Sequence, residues 1–341
     1  MKKDKTRKNR SVETSANLGE HKIIGIIQKH FTLMPNMPVP FGDDVSAVNL
    51  TERQVAVLKT DMLVAKTDVP EGMSLFQAAR KALIMNISDF ASKGVQPTAA
   101  LVALGLPANF IQKNIEEIAD GLNSGAQEGG AFIVGGDISE TSDLIISVSL
   151  YGTAQKPLLM LRSGAVAGDV LAVTGFFGKS SSGLRLLLGE CLASKTAKTL
   201  VDAVFMPKAR LAEGLALGGC GGVSASMDSS DGLAWTLNEI ARLSNVGFEL
   251  DKVPVAPEVK RFAELNGLDA AELALYGGEE YELVVTVKPD RWADAVAAVE
   301  AVGGQLLQIG KATEEKGIFL KCDGKRLPIE ARGWEHFKSQ L

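Results

Sequence analysis

The chain has 341 residues, 46% of them apolar and 23% charged, enough for two domains with ordinary hydrophobic cores. Its formal charge of −5, from 36 basic and 41 acidic residues, argues against a dedicated nucleic-acid binder, whose binding face is normally basic. No apolar run reaches the roughly 18–20 residues of a membrane span. Cys191, Cys220 and Cys322 lie far apart and outside any CxxC, which disfavours a disulfide framework and makes a reducing cytoplasm the expected location. His21, His30 and His336 are too scattered for a zinc site or a Ser-His-Asp triad, so hard cations with oxygen ligands remain the open metal chemistry.

The first ten residues, MKKDKTRKNR, carry six Lys/Arg and are not followed by an apolar stretch. They read as a solvated basic tail, extending to about residue 17, and not as a secretory signal; contact with an anionic polymer is the alternative. Apolar spacing predicts a helix over 18–30, short strands over 45–50 and 54–58 around a turn at 51–53, and a long helix over 74–93 that is apolar nearly all round and therefore buried. A strand over 98–104, an amphipathic helix over 111–127 and strands over 131–134 and 144–151 follow, with Gly135-Gly136-Asp137, which reads equally as a plain turn, between the last two. Hairpin strands mixed with long helices make this first unit, roughly 18–155, α+β. Beyond the loop at 162–169 come a strand at 170–173, helices near 180–190, 193–204 and 208–217, a glycine turn at 218–222 and a strand at 223–227. A helix over 231–244, a strand over 281–287, a helix near 290–302 and strands near 305–312 and 317–321 complete the chain.

Val173 to Ser180, VTGFFGKS, imitates a phosphate-binding Walker loop. That loop needs glycine five residues before the Gly-Lys pair, and position 173 is Val, so a plain strand-to-helix turn is expected.

The informative feature is a set of aspartates among small residues: Asp43-Asp44 after Gly42, Asp61 after Thr60, Asp89, Asp137 after two glycines, and Asp228 and Asp231 in DSSDG. Asp89 stands three residues after Asn86 on the otherwise apolar helix, where a lone buried carboxylate is costly unless it is paired or bound to a metal. A hydrogen bond or an Arg or Lys partner would satisfy it equally. Asp228 and Asp231 flank a predicted helix start, where one Asp is an ordinary N-cap but two exceed what capping requires. Taken together, the acids suggest a pocket for several Mg²⁺ ions and the phosphates of a nucleotide, that is, phosphoryl transfer without a Walker loop.

GDDVSAV, KTDMLV, ALIMNISDFASKGVQP, GGD, RSGAVAGD, MDSSDGL, YGGEEYEL and GWEHF occur in this order over about residues 18–338. In that order and spacing they resemble the thiamine-monophosphate kinase family of the aminoimidazole-ribonucleotide synthetase-like superfamily. The resemblance implies a cytoplasmic enzyme that uses ATP and several Mg²⁺ to convert thiamine monophosphate to thiamine diphosphate. It implies an α+β fold of two domains: an N-terminal domain (18–155) that binds ATP and metal and pairs with a second copy in a shared β-barrel, and a C-terminal α/β domain (156–341). It further implies metal ligation by Asp44, Thr60, Asp61, Asp89, Asp137, Asp228 and Asp231, with Lys59 at one more metal-site position. ATP contacts would come from Gly136, Asp137, Arg162 and Ser230, and substrate contacts from Asp68, Glu279 and Trp334. An always-charged, forked guanidinium suits Arg162 to a phosphate, and Trp334 would stack on the thiazolium, although a Trp packing a C-terminal loop fits the sequence as well.

Many bacterial members carry Ser or Thr where this chain has Lys59, and His where it has Asp68. Lys59 would cost a metal its ligand only if the side chain, and not the backbone carbonyl, is what binds. The expected chemistry is in-line attack of the substrate phosphate on the γ-phosphorus; a phosphate monoester is largely ionised at neutral pH, so no general base is needed. Two alternatives stand: another ATP-using superfamily enzyme such as aminoimidazole-ribonucleotide synthetase, and a non-catalytic nucleotide-binding regulator. The retained aspartates argue against the regulator, and YGGEEYEL and GWEHF against the synthetase.

Overall fold

The computed structural model describes residues 14–193, 195–322 and 324–337; the basic segment 1–10 lies outside them. The described residues form two compact units, one within 14–36 and 334–337, the other within 37–333. In the first, Gly19 at φ 74° splits the helix expected over 18–30 into α1 (Ser15–Leu18) and α2 (Glu20–Gln28). The backbone N–H of His21 donates to Glu335 at 3.4 Å and that of His336 to Glu20 at 3.3 Å, fastening 334–337 to the start of α2.

The larger unit contains two sheets. The first has five strands, β1 (Ser46–Asn49), β2 (Gln54–Val64), β3 (Pro97–Leu106), β4 (Phe132–Glu140) and β5 (Ile145–Gln155), in the order β1-β2-β5-β3-β4. All its pairings are antiparallel except β3 with β4. Its connections carry α3 (Ala65–Asp68), α4 (Leu75–Ser92) and α5 (Gln112–Glu128). Ser74 starts α4 with a reciprocal cap: the Gln77 N–H donates to its hydroxyl and the Gln77 side chain accepts from its N–H. As expected from its composition, α4 is buried nearly all round, packing on β2, β5 and α5.

Two expectations for this sheet are corrected. β2 does not stop at residue 58 but pairs with β5 along its whole length, so Thr60 and Asp61 lie within a strand. Gly135-Gly136-Asp137 is likewise inside β4 and not a turn. β3 and β4 approach so closely there that a Cβ at position 136 would fall 1.8 Å from the Val102 carbonyl oxygen, which only glycine avoids.

The second sheet has seven strands: β6 (Val170–Val173), β7 (Val223–Asp228), β8 (Gly247–Leu250), β9 (Leu283–Val287), β10 (Leu307–Thr313), β11 (Gly317–Cys322) and β12 (Lys325–Pro328). Their order is β12-β11-β8-β10-β6-β9-β7. The helices are α6 (Lys179–Leu187), α7 (Ala197–Phe205), α8 (Leu211–Cys220), α9 (Leu233–Ser244), α10 (Pro257–Asn266), α11 (Ala270–Tyr276) and α12 (Trp292–Ala301). The predicted glycine turn at 218–222 is partly helix, because α8 continues to Cys220. α4 packs on both α8 and β7, so the last turns of a helix from the first sheet meet the end of an edge strand of the second. No helix among the described residues is long and apolar enough to cross a membrane.

Candidate functional site

That junction gathers the acids. Asp89 is in the last turn of α4, Asp228 ends β7, and Asp44 precedes β1. One carboxylate oxygen from each lies within 4.8 Å of those of the other two, and all three residues are buried. Asp44 is fully engaged: Oδ1 accepts from Arg162 Nε at 2.6 Å and pairs with its Nη2, while Oδ2 pairs with Lys93 Nζ at 2.7 Å and accepts from the Ser92 hydroxyl at 2.7 Å. Lys93, with no exposed side-chain surface, also pairs with Asp43 at 2.7 Å and donates to the Ser226 carbonyl at 2.8 Å. Arg162 reaches the Gly42 carbonyl at 2.9 Å, and its backbone N–H donates to Asp43 at 3.0 Å.

Asp89 and Asp228 are less well served. Asp89 Oδ2 pairs with Lys59 Nζ at 2.9 Å. Asp228 Oδ2 accepts from the Ser88 hydroxyl at 2.6 Å, but its Oδ1 is buried with no partner among the described residues, as are Asn86 Oδ1, Ser226 Oγ and Ser229 Oγ. The titration directions follow. Burial would raise Asp44, yet Arg162 and Lys93 hold it well below the usual carboxylate range. Burial pushes Asp89 well up despite Lys59, with Asp228, Asp44 and Asp61 adding repulsion. Burial and then Asp44 raise Asp228 to about 6, against the opposing pull of Ser88, Lys59 and Arg162. Two under-neutralised carboxylates beside an orphaned oxygen form a donor set that suits a hard divalent cation, which takes carboxylate oxygens and keeps room for water or phosphate.

The remaining candidates divide. In the β2–β5 register Lys59 and Asp61 stand opposite Leu150 and Val148, on the sheet face that α4 covers, and Asp61 acts electrostatically on both Lys59 and Asp89. Thr60 stands opposite Ser149 on the other face, where its hydroxyl accepts from Ser149 at 3.0 Å and donates to the Val148 carbonyl at 3.2 Å. Gly136 and Asp137 line a cavity of about 250 Å³ with Leu101, Ala103, Ser147 and Ser149, on that open face. The Lys59 side chain cannot itself ligate a metal, since its ammonium is a donor with no lone pair; here it is a counter-charge to Asp89, and only the backbone carbonyl of this position could serve an ion. Asp231 is not the cap of α9, whose N-cap is Gly232.

Two of the three substrate candidates, Asp68 and Glu279, meet at one buried lysine, Lys81 of α4. Its Nζ pairs with Glu279 Oε1 at 2.5 Å and donates to the Asp68 carbonyl at 3.1 Å. The Asp68 carboxylate accepts from the Val64 N–H at 2.7 Å. The Glu279 and Ser230 segments are stitched by Glu279 N–H to the Ser230 carbonyl at 2.7 Å, with Glu279 at φ 61° and Tyr281 at φ 54°. Trp334 belongs to the smaller unit, exposed and edge-on to His336 with ring centroids 6.0 Å apart. The Walker-like turn holds a protein carboxylate: Gly178 N–H and Ser180 N–H, at the start of α6, donate to Glu280 Oε1 at 2.6 and 3.1 Å. Sequence reading missed Lys81 and Lys93; their signal was a lysine on a helix expected to be buried, which demands an acidic partner.

The family model for the AIR synthase related protein N-terminal domain matches residues 42–154, and that for the C-terminal domain matches residues 166–323. The thiamine-monophosphate kinase of Nitrosopumilus maritimus is 34% identical over 325 residues, covering 95% of this chain and all of that protein. The chain belongs to the thiamine-monophosphate kinase family. The kinase of Pyrococcus horikoshii is 37% identical over 302 residues, covering 87% of this chain and 91% of its own length. A solved structure described as AaThiL complexed with AMPPCP and TMP superposes with a TM-score of 0.82 at 30% identity, over 96% of this chain and all of that one. The matches confirm two AIR-synthase-related domains of mixed α and β structure.

Proposed function

We propose that this chain transfers the γ-phosphoryl group of ATP to thiamine monophosphate, giving thiamine diphosphate and ADP, in the cytoplasm. The observation that carries the reading is the buried trio Asp44, Asp89 and Asp228 with Asp228 Oδ1 unpartnered, in a chain of this family. Asp44, Asp89 and Asp228 would hold one Mg²⁺, with Asp61 and Asp231 as further ligand candidates, while Thr60 and Asp137, on the opposite face of the sheet, are candidates for a separate ion. Bound there, Mg²⁺ supplies charge neutralisation between two polyanionic substrates. The chain's own part is to keep Asp44 ionised and to aim the acids: Arg162 and Lys93 fix Asp44, and Ser88 fixes one oxygen of Asp228. Arg162 is about a fifth exposed at its side chain, so its guanidinium is accessible to an ATP phosphate, with Ser230, Gly136 and Asp137 as the other ATP contacts. The attacking phosphate oxygen is already ionised near neutral pH, so the transfer is direct and needs no residue as base.

On the substrate side, Glu279 and Asp68 contact thiamine monophosphate and Trp334 stacks on its cationic ring. We infer that 18–155 and 156–341 act as the N-terminal and C-terminal domains, and that two copies pair through the open face of the five-stranded sheet into a shared barrel. That face leaves Leu58, Met62, Leu101 and Tyr151 exposed, and edge strand β4 exposes Phe132, Val134 and Ile138, an apolar area that a second copy would cover. The test is ³¹P NMR of the protein with Mg-ATP and thiamine monophosphate. A new diphosphate pair with stoichiometric ADP is expected. ADP release only with an amidine ribonucleotide would reassign the chain to synthetase chemistry.

A further inference from the structure

Among the described residues three cations face the acidic pocket, and two are each held by several protein acceptors. Lys93 is saturated by Asp43, Asp44 and the Ser226 carbonyl, and Arg162 is anchored on Asp44 and the Gly42 carbonyl, with N–H donors to spare for a phosphate. Lys59 differs. It comes from β2, its side chain is 22% exposed, and its Nζ lies 2.9 Å from Asp89 Oδ2. Asp61, two residues along on the same face of β2, and Asp44 also act on its charge. An ammonium neutralises a carboxylate but cannot ligate a metal, and it repels a divalent ion a few ångströms away.

We propose that Lys59 is a built-in counter-ion of this pocket: it occupies one oxygen of Asp89, stabilises the metal-free protein, and weakens divalent-cation binding. The proposal rests on the reading of Asp44, Asp89 and Asp228 as a cation site. With Lys59 in place, Asp89 has a partner before any ion arrives. A divalent ion must then compete with the ammonium for the charge of Asp89. The flexible four-carbon stem and its partial exposure let Nζ swing toward solvent, so Lys59 taxes binding without forbidding it.

The experiment titrates Mn²⁺ into the full chain at pH 8 without nucleotide, following the free ion by electron paramagnetic resonance, and records thermal midpoints in EDTA. Lys59→Met and the length-conserving Lys59→Gln should each bind Mn²⁺ about ten-fold more tightly than the wild type, the direction set by removing a like charge. Both should melt lower in EDTA and regain the loss on adding Mn²⁺. Lys59→Arg, which keeps the charge, should track the wild type, and Lys59→Met combined with Asp89→Asn should recover the EDTA midpoint. Unchanged Mn²⁺ affinity in Lys59→Met and Lys59→Gln, with binding abolished by Asp228→Asn, would overturn the counter-ion role and leave the cation site standing. Failure of the wild type and both neutral variants to bind Mn²⁺ would overturn the cation site and the counter-ion together.

Discussion

The larger unit buries two groups of acids, and they are treated in opposite ways. Around the Walker-like turn every carboxylate is answered by the protein. Glu282 receives both prongs of Arg210, from Nε at 2.8 Å and Nη2 at 2.5 Å, and the Thr174 hydroxyl at 2.7 Å. Glu280 sits on the first amides of α6. A Cβ on Gly175 would fall 2.4 Å from Glu282 Oε1, so the first glycine of that turn makes room for a side chain and not for a phosphate. At the junction of α4 and β7, by contrast, Asp89 has one ammonium among three acids and Asp228 keeps a bare oxygen. Burial of charge alone therefore does not mark a site; incomplete satisfaction of it does.

Removing one acid from each group should have opposite consequences. Asp89→Asn and Asp228→Asn should reduce turnover by about 100-fold or more, the scale of losing an electrostatic element of a transition state, while the metal-free protein melts no lower than the wild type. ADP release and thermal unfolding measure the two halves; near-normal turnover in both variants would remove these acids from the chemistry. Glu282→Ala should instead destabilise the fold by about 3 kcal/mol, the low end for breaking a buried pair, because Arg210 is partly exposed and keeps Glu213 at 3.4 Å. Denaturant unfolding reads this directly, and a loss below about 1 kcal/mol would mean that the network behaves as a surface pair.

The sequence made the acids conspicuous because small residues surround them, and the long apolar helix made Asp89 stand out. It did not show which acids would meet. Thr60 and Asp61 are neighbours in sequence, yet strand alternation sends them to opposite faces once β2 extends through both, and that extension is dictated by pairing with β5. The Gly-Gly-Asp strand was hidden for a related reason: two glycines read as a turn until the close approach of β3 explains them. Between residues 247 and 276 the four-residue β8 and the short α10 and α11 carry too few periods to be recognised, although Pro257 at the first turn of α10 is a proper start signal. Lys81 and Lys93 were legible in principle, since a lysine on a buried helix must find an acid.

Lys81 gives a finer contrast, because it serves the proposed substrate side without being accessible itself. Lys81→Met frees the Glu279 carboxylate and the Asp68 carbonyl together. A rise of about ten-fold in KM for thiamine monophosphate, with KM for ATP within two-fold of the wild type, is the expected result, one tenfold step corresponding to about 1.4 kcal/mol of binding. Equal changes in both constants would assign Lys81 to general packing.

The smallest effect belongs to Glu280 and sharpens what a satisfied carboxylate means. Burial raises it to about 7 even though the Ser180 and Gly178 donors favour its ionised form, and nearby Glu282 adds to the rise. With the folded value above the usual 4.5, the native state binds more protons than the unfolded chain between those two pH values. The contribution of this group to stability is thus complete below pH 4.5 and is lost as the pH rises through about 7. Glu280→Gln keeps an oxygen for the α6 amides and cannot ionise. The difference in thermal midpoint, wild type minus variant, should therefore fall by a few degrees from pH 5.5 to pH 8, in EDTA to keep metal binding out of the comparison. A difference that stays flat across that range would mean that the α6 amides, and not burial, govern this carboxyl.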